Sequence, residues 1–204
     1  MAPPRNTQRR NALADAALEV LGTGGTHRLS HRAVDQQAGL PAGTAVNYFP
    51  RRDDLLAAAA ERVAELALAE MTVADWAAAR AAADGGPDGL ARLIGASLHD
   101  AATRHRTRYL AAFELALEST RQPGLAAAMS RLGAAALGTT IAEHRLLGLA
   151  TTPEQVQALI ALYNGTLLTL TAAPPGGVTP ETCLLLARCL VTGVLQTVPG
   201  GGAP

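Results

Sequence analysis

The stretch Leu29–Tyr48, LSHRAVDQQAGLPAGTAVNY, decides the fold. Ser30 is a good N-cap, because its hydroxyl oxygen can accept from backbone N–H groups left over at a helix start. A short helix is predicted over 31–37, with Val34 and Ala38 turned inward. Gly39 breaks it, and Leu40 points a side chain back into the core. Pro41 suits the first turn of the next helix, where its missing N–H costs nothing; that helix is predicted over 42–48. Phe49 anchors its end by burial and Pro50 separates it from the helix downstream. Two short helices joined by a tight glycine turn describe a helix-turn-helix, and the rest of the chain is read outward from this pair.

Upstream, residues 1–6 are Pro-rich and expected to be disordered. A helix is predicted over 8–21, where Leu13, Ala16, Ala17, Val20 and Leu21 make one apolar stripe. Gly22, Gly24 and Gly25 are expected to end it. Downstream, a helix begins near Arg51, with Asp53 and Asp54 complementing the dipole in its first turn. It meets no breaker before Asp84-Gly85-Gly86-Pro87. Further helices are predicted near 88–103, 107–120, 124–147, 153–172 and 180–197. Thr152 and Thr179 stand just before Pro153 and Pro180, as N-caps followed by Pro at the first helical position. No stretch alternates at period two, so no sheet is expected. The expected fold class is all-α, with residues 1–50 as an N-terminal domain, 51–83 as a linking helix and 84–204 as a C-terminal helical domain.

Composition agrees with this class. The 204 residues are 49% hydrophobic but only 3% aromatic, which favours close-packed helices. Every basic side chain is Arg, and the net charge is zero. The charge is unevenly spread. Residues 1–52 hold seven Arg against Asp15, Glu19 and Asp35, and this basic front suits a polyanionic partner. Cys183 and Cys189 are too few for a disulfide framework and read as two small core residues. The opening MAPPRNTQRR has no apolar run after its charges, so it does not read as a secretory signal. Tyr163, Asn164 and Gly165 interrupt 156–173, and 183–198 contains Arg188 and is too short to span a bilayer. A soluble, cytoplasmic protein with no membrane segment is expected.

The last two predicted helices differ from the first. In 180–197 apolar residues cover almost the whole circumference, and 153–172 is similar; such helices must be covered on every side. A second copy of the chain is the expected cover, giving a homodimer through a four-helix interface.

In a helix-turn-helix the second helix enters the DNA major groove and the start of the first crosses the backbone. Pro41, Ala42, Gly43, Thr44 and Ala45 are therefore candidates for close approach to double-stranded DNA. Asn47 is a candidate for adenine, and Thr44 and Tyr48 for phosphate. N–H groups at the helix start are expected to attract phosphate as well. Ser30, His31 and Arg32 are placed near the backbone. Arg5, Arg9 and Arg10 read either as an arm reaching the DNA or as a solvated tail.

These residues carry a resemblance. Ala38-Gly39-Leu40-Pro41-Ala42-Gly43-Thr44, then Tyr48-Phe49, then Arg52-Asp53-Asp54-Leu55-Leu56 resemble the motif of the tetracycline-repressor (TetR) family of transcription regulators over about residues 8–65. Asp35, Val46, Asn47 and Ala45 depart from the usual pattern, and Arg52 stands for a usual lysine at the start of the fourth helix. The resemblance implies a three-helix DNA-binding domain that includes Arg52 in its contacts, and a larger ligand-binding and dimerisation domain. It also implies a homodimeric repressor that binds a palindromic operator and is released by a small-molecule effector. The alternative is a regulator or activator of the same fold with no effector response.

Effector candidates are polar or aromatic residues within otherwise apolar helices: Trp76, His99, Tyr109, Phe113, Glu114, Met129, His144, Tyr163 and Asn164. The run Arg104-His105-Arg106-Thr107-Arg108 reads as a solvated turn, with an anionic ligand or a hinge contact as the alternative. His27 and His31 are four apart but Ser30 caps the helix between them, so no metal site is expected. No cofactor is expected. Nor is an enzyme, since no nucleophile is paired with a base and no strand leads into a phosphate-cradling loop.

Overall fold

A computed structural model of the protein describes residues 4–70, 85–174 and 176–196. Among the described residues there are nine α-helices, one 3-10 turn and no strand. In chain order these are α1 (Pro4–Gly24), the 3-10 turn Thr26–Arg28, α2 (His31–Gln37), α3 (Thr44–Tyr48), α4 (Arg52–Glu70), α5 (Gly86–Ala102), α6 (Arg106–Ser119), α7 (Pro123–Leu146), α8 (Pro153–Ala172) and α9 (Pro180–Gln196). Trp76 and positions 71–83 of the expected linking helix lie outside the described residues.

Helix starts follow local chemistry. Ser30 Oγ accepts from the Ala33 N–H at 3.2 Å. Thr152 makes a full capping box with Gln155, and Thr179 Oγ1 accepts from the Thr182 N–H at 3.2 Å. Both ends of α1 differ from the sequence reading. α1 begins at Pro4, within the stretch expected to be disordered, because Pro is preorganised for a first turn. It also runs through Gly22 and ends at Gly24, with Gly25 turning the chain at φ 72°. Gly22 answers to packing: a Cβ there would stand 2.1 Å from the Thr107 carbonyl oxygen on α6.

The chain forms two compact units, Met1–Glu70 with Arg106–Gly133, and Met71–His105 with Ala134–Pro204. In the first unit α6, from beyond residue 84, packs on α1 and α4. Its Ala111 and Leu115 are fully buried in a core with Leu13, Leu21, Val34, Ala45, Phe49, Leu55 and Leu56. Each such buried Leu or Phe contributes about 1.5–3 kcal/mol. In the second unit α5, α8 and α9 enclose Leu90, Leu159, Val191 and Val194. Here α5 and α9 meet at Gly95, where a Cβ would stand 2.9 Å from the Leu184 Cα.

Cys183 is buried and its thiol pKa is pushed up by desolvation. Cys189 is exposed, contrary to its reading as a core residue, because it lies on the outward face of α9. Leu185 on that face is 63% exposed, and Leu162 and Leu168 on α8 are 48% and 49% exposed. By length and composition α7 is the one helix among the described residues that could cross a membrane.

Candidate nucleic-acid interface

The helix pair is seated on a layer of buried apolar side chains. Leu29, Val34, Ala45 and Phe49 are at most 3% exposed. Ala45 therefore faces the core, and its expected approach to DNA does not hold: on a five-residue helix, burial of Ala45 and Phe49 turns Val46 and Asn47 outward. Val46, at 42% exposed, is a surface residue that the sequence reading misses. Its signal is the helical period, which turns it about 100° round the helix from Ala45. Pro41, Ala42, Gly43 and Asn47 are exposed, while Thr44 and Tyr48 are half-buried.

α3 begins two residues later than predicted, at Thr44. Pro41 lies in the turn ahead of it rather than in its first turn, and its carbonyl accepts from the Thr44 N–H at 3.1 Å. Gly43 is the N-cap, at φ 89° and ψ −1°, a left-handed conformation that favours glycine. Gly43 carries no side-chain cap of its own, and the cap comes from Asp35. Its two carboxylate oxygens accept from the Gly43 N–H at 2.8 Å and the Ala45 N–H at 2.6 Å. Asp35 is only 3% exposed, and a buried carboxylate is tolerable where N–H donors at a helix start meet it. These two N–H groups are thus engaged within the protein, and the expected capture of phosphate by them is corrected. Thr44 Oγ1 likewise donates inward, to the Pro41 carbonyl at 2.6 Å.

Three basic candidates turn out to brace the unit. His31 Nε2 faces the Phe49 carbonyl at 2.6 Å; a carbonyl only accepts, so this nitrogen carries the proton. Arg52 donates to the Thr26 carbonyl at 2.5 Å and the Leu29 carbonyl at 3.4 Å, so its charge ties α4 to the connector ahead of α2. Arg10 places its guanidinium 4.8 Å from the Phe49 ring centroid and pairs with Glu61 at 3.6 Å. It belongs to α1, not to a loose arm. Arg32, Arg28 and Arg9 remain on the exposed surface. Arg51 hydrogen-bonds Asp54, which raises the arginine pKa and lowers that of the carboxyl.

The effector candidates do not share one unit. Tyr109, Phe113, Glu114 and Met129 belong to the first; His99, His144, Tyr163 and Asn164 belong to the second. Glu114 accepts from the Thr26 N–H at 3.1 Å. Met129 packs on the core of the first unit. Tyr163 shares a 2.8 Å hydrogen bond with Ser97. His144 is buried against Thr151, and Asn164 is exposed. In the 104–108 run, Arg104 pairs with Asp100 at 3.6 Å and Arg108 lies over the Tyr109 ring at 5.1 Å. No group of three or more metal-ligating side chains occurs among the described residues.

Two family models match the chain: "Bacterial regulatory proteins, tetR family" over residues 13–59, and "Tetracyclin repressor-like, C-terminal domain" over 85–197. No curated protein matches it in sequence. Among solved structures, the multidrug binding protein EbrR in complex with ethidium is 26% identical with a TM-score of 0.64, covering 91% of this chain and 98% of its own. A transcriptional regulator from Rhodococcus sp. Rha1 is 20% identical with a TM-score of 0.69, covering 93% and 99%. A TetR-family regulator from Mesorhizobium loti is 15% identical with a TM-score of 0.70, covering 95% and 98%; these last two share the fold. The chain belongs to the tetR family of bacterial regulatory proteins.

Proposed function

We propose that the protein is a homodimeric transcriptional repressor that binds a palindromic operator and is released by a small molecule. The observation that carries DNA binding is the outward face of the helix pair. Pro41, Ala42 and Gly43 allow close backbone approach there, and Val46 and Asn47 stand beside them. Asn47 has the donor and acceptor pair that fits adenine, and Val46 offers an apolar surface for a thymine methyl. Ser30 and Arg32, at the start of α2, and the hydroxyl of Tyr48 are assigned to the phosphate backbone. Because Asp35 takes two N–H groups at the start of α3, side chains carry more of the recognition than the helix terminus does.

Duplexes selected by the wild type from a randomised pool test the reading. A two-fold-symmetric consensus and a loss of about tenfold or more in affinity for Val46→Ala with Asn47→Ala are expected, since a good base contact is worth about 1–3 kcal/mol. Failure of the wild type to select any sequence, or equal selection by the double variant, would refute it.

The outward apolar faces of α8 and α9, with Leu162, Leu168 and Leu185, are assigned to the dimer. Two-fold pairing holds two helix pairs about 34–36 Å apart, one turn of DNA. A ligand releases the operator only by binding more tightly to a state with another spacing. The complexes of EbrR with ethidium and with proflavin make planar aromatic cations the first ligands to test. Since both dyes intercalate into DNA, binding is read on the protein alone, as ethidium fluorescence. Saturable binding that weakens in Tyr163→Ala, within the second unit, is expected; no saturable binding removes this ligand class.

A further inference from the structure

One face of α6 runs along the first unit: Thr107, Ala111, Glu114, Leu115 and Glu118 recur at helical spacing. At Thr107 its backbone lies so close to α1 that Gly22 has no room for a Cβ. Ala111 and Leu115 are fully buried. Glu114, between them, reaches the connector Gly25–Leu29. Its Oε2 accepts from the Thr26 N–H at 3.1 Å and would lie 3.4 Å from a Cβ at Gly25, itself at φ 72°. On the far side of the same residue the Thr26 carbonyl accepts from Arg52 Nη2 at 2.5 Å, and the Leu29 carbonyl from Arg52 Nε at 3.4 Å. The connector is therefore held by a carboxylate from α6 and a guanidinium from α4. It leads through buried Leu29 straight into the Ser30 cap of α2. Glu114 lies in the C-terminal family match and Thr26 in the N-terminal one.

We propose that Glu114 is a positioning residue for DNA binding: its carboxylate fixes the connector that carries the helix pair. Loss of the carboxylate leaves the Thr26 N–H without its acceptor, while the Gly25 N–H bond to the Leu21 carbonyl and the two Arg52 contacts remain. The inference rests on the DNA-binding reading for one of its two readouts.

The test compares wild type, Glu114→Ala and Glu114→Gln by amide hydrogen exchange and by affinity for a duplex selected by the wild type. Glu114→Ala is expected to speed exchange over residues 25–31 by about tenfold, leave α1, α4 and the second unit unchanged, and weaken duplex binding about tenfold. Glu114→Gln keeps an acceptor oxygen at the same reach and is expected to stay within about threefold of wild type in both. Wild-type exchange in Glu114→Ala overturns the proposal, as does a loosened connector with wild-type affinity. Faster exchange throughout the first unit also overturns it, in favour of a purely structural role. Should the Ala variant fail to fold, Glu114→Asp, one methylene too short for the contact, gives the same comparison. A wild type that selects no duplex removes the DNA-binding reading, while exchange at Thr26 still decides whether Glu114 holds the connector.

Discussion

At the scale of single residues, Asp35 shows how much of the recognition surface is built from beneath. It accepts from two N–H groups of another helix start and is itself buried. Asp35→Ala leaves both donors without an acceptor, and a loss of about 2–4 kcal/mol in urea unfolding is expected, together with weakened operator binding. Asp35→Asn keeps one acceptor but sets an NH2 against the other N–H, so it is expected to fall between. Gly43→Ala isolates the backbone contribution, because no atom beyond its chain neighbours lies within 4 Å of a Cβ there while φ is 89°. Its expected cost is about 1 kcal/mol; a neutral melt would show that the turn relaxes. The contrast with Ser30 explains what the sequence could reveal. Ser30 caps a donor three residues away, within a pattern that a local reading contains. The donors of Asp35 are eight and ten residues on, and that of Glu114 is 88 residues away. Partners at those separations exist only once helices have packed.

At the scale of elements, helix existence was legible because the apolar period and the caps agree. α2 and α8 fall on their predicted bounds, and the others shift by a few residues, the far end of the linking helix lying outside the described residues. What escaped was which helices share a core, since an apolar face does not name its partner. The seams are marked by glycines whose Cβ would strike backbone. Gly95→Ala would press on the Leu184 Cα at 2.9 Å, and a loss of about 1–3 kcal/mol in the second unit is expected from chemical melts. The last turn of α7 carries a pH dependence. His144 is 1% exposed and meets Thr151 at 3.0 Å, and desolvation lowers its pKa. The folded state thus favours the neutral ring. Its stability is full above the unfolded value of about 6.5 and is lost as pH falls through the lower folded value. Urea melts from pH 7.5 down to 5 are expected to show this decline in wild type and a flatter profile in His144→Gln; parallel profiles would assign the acid sensitivity elsewhere.

At the scale of the whole molecule, apolar surface that one copy leaves uncovered becomes the deciding feature. Leu162 and Leu168 on α8 and Leu185 on α9 remain about half or more exposed. On α8 they are flanked by exposed Ala158, Ala161, Gly165 and Ala172, small residues that let a second helix approach closely. The apolar circumference of α9 predicts a partner from sequence alone, and the exposed leucines are the surface that such a partner would cover. If two copies pair here, each operator half-site binds as part of a linked unit, and linkage raises overall affinity by about 10²–10⁴ over a single module. Leu162→Glu with Leu185→Glu places like charges across the two-fold without touching either core. Sedimentation is expected to give a monomer with wild-type helicity, and affinity for the palindrome is expected to drop at least about a hundredfold while affinity for a half-site duplex stays unchanged. A double variant that sediments as a dimer would locate the interface on other helices. A monomer that kept wild-type affinity for the palindrome would show instead that each helix pair reads DNA alone, and the spacing mechanism would go with it.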